Sequence, residues 1–186
     1  MEKTLEGTTR IPGHITSNSL WLSLGWGTIG GFAGTLAMDL TLMAVMVAFG
    51  LPALTCFSIV GDTAANFFSM QNVGTTGAIL QGVATHYTVG PVIGAIFGLL
   101  AARVKALRVH TLKKSLLLGI LYVEILSQPL LATTPILLKM SAVATLQWYG
   151  GSFIMHLIAG AVLGAVVGRG LRLAPLATQR RSQRKS

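Results

Sequence analysis

The sequence predicts an all-α integral membrane protein, a four-transmembrane-helix bundle with both termini in the cytoplasm (N-in, C-in). Three observations carry this prediction. Only 10% of the 186 residues are charged and 52% are hydrophobic, whereas soluble domains carry roughly 25% charged residues. Between Arg10 and Arg103 there is no Lys or Arg, and only Asp39 and Asp62 are acidic. Four segments reach the about 20 apolar residues that a spanning helix requires. In water such a chain would expose large apolar patches; lipid is its natural solvent.

Residues 1–22 are polar and mixed in charge, and the apolar stretch after them is too long for a signal h-region, so they read as a cytoplasmic segment. Residues 23–102 form a first helix hairpin, with spans Ser23 to Phe49 and Ile79 to Ala102 around an external segment, 50–78. Leu51 to Phe68 is apolar too, but it contains Pro52, Gly61 and Asp62. It reads as re-entrant or interfacial rather than as a fifth span, with Asp62 and Asn66 capping a short helix. A basic cytoplasmic loop, 103–114, leads to a second hairpin, 115–170, with spans Ser115 to Leu138 and Trp148 to Gly168. Pro129 and Pro135 predict a kink or an early end in the third span, leaving carbonyls near Gln128 and Thr133. A basic tail, 171–186, closes the chain.

The formal charge of +9 invites a nucleic-acid reading, but its placement argues against one. The cations cluster from Arg103 to Lys114 and from Arg169 to Lys185, beside apolar runs, as cytoplasmic loops do against an anionic leaflet. Trp21 and Trp26, and Trp148 with Tyr149, stand where interfacial aromatic anchors belong. The expected partners are the lipid bilayer and a second copy or a larger membrane complex, with no nucleic acid.

The two halves resemble each other. His86 is followed by Gly90, Gly94 and Gly98, and His156 by Gly160, Gly164 and Gly168, each at four-residue steps. Asp39 and Glu124 each stand five residues after a glycine, Gly34 and Gly119. The pattern predicts two repeated helix hairpins related by an axis along the membrane normal. Glycines four apart share one side of a helix, and in lipid such GxxxG faces let backbones approach closely.

Ionisable side chains are expensive in hydrocarbon and normally face protein or a water-filled cavity. Asp39, His86, Glu124 and His156 fall within one layer about 10 Å thick, given a rise of about 1.5 Å per residue. Two imidazoles and two carboxylates suit a transition-metal ion (Fe, Mn or Zn) in a helix bundle. Alternatively, His86 and His156 suit axial ligation of haem b; proton or ion passage and plain bundle locking are further uses of the same groups.

Met38, Met43 and Met46 offer soft ligands to Cu but also fill apolar gaps. His14 and His110 read as solvated, and Cys56 as a buried apolar residue. A single cysteine excludes an internal disulfide. No G-x-S-x-G, H-E-x-x-H or P-loop motif is present, so nothing marks a stand-alone enzyme.

From Gly82 to Arg172 the chain resembles the YagU-like family of bacterial inner-membrane proteins. The resemblance rests on Thr85-His86, Leu118-Gly119, Pro129-Leu130, Thr134-Pro135, Trp148-Tyr149, His156, Arg169 and Arg172. It implies a multi-pass protein of the bacterial cytoplasmic (inner) membrane. Where the family pattern carries a histidine this chain has Glu124, an exchange that keeps a metal ligand but not a haem ligand.

Overall fold

A computed structural model describes residues 17–70, 73–104, 107 and 111–183, with side chains from Leu20 to Arg172 among them. The expectations for His14, His110 and the tail side chains lie outside the described residues. Five helices follow in order: α1 Ser17–Ala48, α2 Thr55–Phe67, α3 Gly74–Arg103, α4 Leu112–Leu137 and α5 Ala142–Gln183. All but α2 are long and apolar enough to cross a bilayer. The fold is all-helical, as predicted.

Helices α3 and α5 begin at Gly74 and Ala142, five and six residues before the predicted spans. Hydropathy marks the part of a helix that suits lipid, whereas the backbone continues into the more polar turn before it. The helix ends are satisfied locally. Gly50, at φ 71°, closes α1 with Gly50 N–H bonded to Val47 O and Leu51 N–H to Met46 O, a Schellman end. Thr111 accepts from Lys114 N–H at the start of α4, and Ser141 accepts from Ala144 N–H at the start of α5.

One local expectation is corrected, and of the two outcomes expected at the α4 prolines an early end is not the one taken. Asp62 and Asn66 do not cap α2; they lie within it, and Asn66 Nδ2 donates to the Asp62 carbonyl at 2.8 Å. The helix already starts at Thr55, whose hydroxyl bonds Pro52 O at 2.7 Å. Helix α4 runs through Pro129 and Pro135 to Leu137. Proline has no N–H for the carbonyl four residues earlier, and for Pro135 that carbonyl, Leu131 O, accepts Trp148 Nε1–H at 3.2 Å instead. Gln128 turns to Glu124, and Thr133 bonds Leu130 O.

Small residues face inward and large ones outward, an arrangement suited to lipid. On α1, Ile29, Phe32, Leu36 and Leu40 are exposed, while Gly27, Gly30, Gly31, Gly34 and Thr35 are buried. Gly27 and Gly31 lie against the backbone of Gly90, Gly94 and Gly98 on α3. On the other side of α1, Gly30 meets Leu163 and Gly34 meets Ala159 of α5. Helices α4 and α5 join through Ser115, Gly119, Gly160 and Gly164, with Ser115 Oγ donating to the Gly164 carbonyl. Helix α2 packs antiparallel on α3, Gly61 on Ala78 and Gly82 on Phe57.

Helix α1 thus sits between α3 and α5 along much of its length, whereas α3 and α4 touch sparsely. Among the links across that gap are Tyr122 O–H to Ile93 O, at 2.9 Å, and Thr63 to Thr134, which ties α2 to α4. One end of the bundle interior is filled by Phe97, Ala101, Leu163 and Val167, with Leu118 and Tyr122 packed on them.

Candidate functional site: a central cavity with two histidines

At the other end the interior is hollow. A cavity of about 680 Å³ runs from Leu51 and Met140, near the ends of α1 and α4, down to Gly31 and Leu163. All five helices contribute to its wall. Its size lies within the roughly 300–1,000 Å³ typical of small-molecule sites.

His86 and His156 both line it. The glycine contacts explain why they share a depth. Gly31 against Gly94 sets the antiparallel register of α1 and α3 so that His86 comes level with Asp39. Gly34 against Ala159 sets α5 so that His156 reaches the level of Met38 and Asp39 from the other side of α1. His86 stands near the middle of α3 and His156 in the first half of α5, each further along its helix than the sequence suggested, because α3 and α5 start earlier than their apolar runs.

Asp39, with its side chain 2% exposed, bonds His86: Oδ1 lies 2.9 Å from Nδ1. Burying a lone carboxylate in the bilayer centre costs about 2.5–3.5 kcal/mol on insertion scales, and the imidazole partner offsets that cost. The pairing also orients the ring and leaves Nε2 for a ligand, as carboxylate–histidine pairs do at metal sites. Phe57 of α2 meets the His86 ring edge-on, with centroids 5.4 Å apart.

His156 lines the same cavity from α5. Its Nδ1 is buried with no hydrogen-bond partner among the described residues, and so are Asp39 Oδ2 and Glu124 Oε1. Glu124 does not join the cavity wall. Its other carboxylate oxygen faces Gln128 Nε2 at 3.5 Å. Of the four residues singled out in the sequence, the structure therefore joins Asp39 and His86, places His156 on the same cavity and leaves Glu124 aside. Among the described residues, no group of three or more His, Cys, Asp or Glu side chains is placed to hold a metal ion.

The rest of the wall is less polar than its composition suggests. Thr55, Thr63, Thr85, Ser127 and Thr133 all donate their hydroxyls to carbonyls of their own segments. Among the described residues, no Lys, Arg, Asp or Glu lines the cavity. The Cys56 thiol in the α2 wall is pushed up to about 12, first by burial and then by the Asp39 charge, so it stays protonated. Met38 packs with Met155 and Ala159, the gap-filling use of methionine.

Sequence reading missed the α2 contribution and the place of Trp148. The indole belongs to the cavity wall, half-buried. A usable signal existed: Trp148, Ser152 and His156 recur at four-residue spacing and share a helix face. In comparisons with known protein families, curated proteins and solved structures, nothing matches the chain.

Proposed function

We propose that this chain is a multi-pass protein of the bacterial cytoplasmic membrane, N-in and C-in, that binds a cofactor-sized ligand in its central cavity. His86, held by Asp39, and His156 are its polar contacts. The cavity carries this reading: two imidazoles with ring nitrogens left for a ligand sit in an otherwise apolar sleeve. The interior beyond Leu163 is packed, which favours a binding pocket over a continuous pore. The orientation rests on the basic segments that flank the spans.

Haem b does not fit this lining, because its two propionates would meet no Lys or Arg there among the described residues. A bare transition-metal ion would draw on the same histidines and on Asp39, and would need further donors from outside the described cluster. An absorption spectrum, elemental analysis and mass spectrometry of an organic extract, all on protein purified in mild detergent, test the proposal. The wild type should carry a ligand or metal that Ser152→Phe, which fills the cavity, lacks. Equal and empty results for both would defeat it.

A further inference from the structure

Resting on the reading of the cavity as a ligand site, we propose that its ligand is a lipid-soluble quinone, with the ring carbonyls at His86 and His156. Charge comes first. Among the described residues no Lys or Arg lines the cavity, so a phosphate or carboxylate head would be buried without a counter-charge, at high cost. A neutral ligand is selected.

Five hydroxyls on the wall are taken by carbonyls, which leaves the two imidazoles as its strongest hydrogen-bonding groups, beside Thr35, Thr134, Gln147 and Ser152. These stand at one depth on either side of α1. A 1,4-quinone offers two carbonyl oxygens on opposite edges of one flat apolar ring. Its hydrocarbon tail suits the remaining length of the sleeve towards Leu51 and Phe68. A ligand dissolved in lipid would enter where helix packing is sparsest, at the α3–α4 seam.

The Asp39–His86 pair matches both redox forms of that ligand. With Nδ1–H donated to Asp39, neutral His86 accepts at Nε2 and suits a quinol hydroxyl. When protonated, the ring donates at Nε2 and suits a quinone carbonyl.

Trp148 lines the cavity and serves as the reporter. In full-length protein carrying Trp21→Phe and Trp26→Phe, its fluorescence is titrated with a decyl-substituted benzoquinone and with decylbenzene, which lacks carbonyls. The quinone should quench saturably and bind about ten-fold tighter than decylbenzene, a difference of one good hydrogen bond. His86→Gln should weaken the quinone about ten-fold and leave decylbenzene unchanged. If loss of the Asp39 partner unfolds that variant, His156→Gln, which gives up no hydrogen bond within the protein, replaces it with the same expectation. Equal binding of both probes, unmoved by either histidine change, overturns the quinone assignment while the cavity reading stands. Binding of neither probe overturns both.

Discussion

The pair α1–α3 and the pair α4–α5 are built alike and end differently. In each, a glycine on the earlier helix meets two glycines on the later one: Gly31 meets Gly90 and Gly94, and Gly119 meets Gly160 and Gly164. In each, a histidine stands four residues before the first of those later glycines. Yet His86 has a carboxylate partner and His156 has none. The contacts show why. Asp39 is eight residues after Gly31, whereas Glu124 is only five after Gly119. Three residues correspond to one turn less depth and about 60° around a helix of 3.6 residues per turn. The residue placed like Asp39 is Ser127, which is buried and lines the cavity. Gly34, which the sequence paired with Gly119, packs on α5 rather than α3. Nor do the pairs meet symmetrically, since α1 lies along α5 while α3 and α4 barely touch. The repeated-hairpin reading therefore stays a proposal about origin.

The largest effects should come from the glycine seams that the two pairs share. Gly94→Leu and Gly164→Leu would each drive a side chain into a facing backbone. Each should cost at least the roughly 1–3 kcal/mol of overpacking, seen as loss of folded protein in detergent unfolding. A large loss in one seam and none in the other would break the likeness.

Next come the histidines, where the pairs should diverge. His86→Ala removes the imidazole partner of buried Asp39 and should destabilise by about 3–5 kcal/mol. His156→Ala removes a ring whose Nδ1 has no partner and should cost clearly less in the same unfolding assay. Equal losses would mean that the Asp39 pairing does not distinguish the two sites.

Ser127→Asp sharpens the comparison by creating the missing partner. It should be better tolerated with His156 present than in a His156→Ala background, by about 1–3 kcal/mol. The double-mutant cycle measures this coupling; a coupling near zero would show that Ser127 is not the counterpart of Asp39.

The smallest effect concerns the α4–α5 seam alone. Trp148→Phe should cost about 1 kcal/mol through the Leu131 carbonyl. The further change Pro135→Ala should recover part of it by restoring a backbone donor, as a thermal-stability series would reveal.

Much of the fold was legible because lipid imposes a simple demand: a long run of apolar residues with cations only at its margins. The four spans, the glycine faces and the importance of Asp39, His86 and His156 all follow from local composition and four-residue spacing. Helix–helix register does not. It depends on which small residues, far apart in the chain, let two backbones touch, and a shift of three residues separates a paired carboxylate from an unpaired one. Glu124 matched Asp39 in type and spacing from a glycine but not in the glycine that makes the contact. Helix α2 was legible as an apolar segment with Pro52 and Gly61, but not as a wall of the cavity beside His86. That placement depends on Gly61 and Gly82 meeting Ala78 and Phe57 across the chain. Composition, acting residue by residue, thus determined a four-span helical membrane protein. The cavity and the choice of which histidine gains a carboxylate arise only when five helices close around one space.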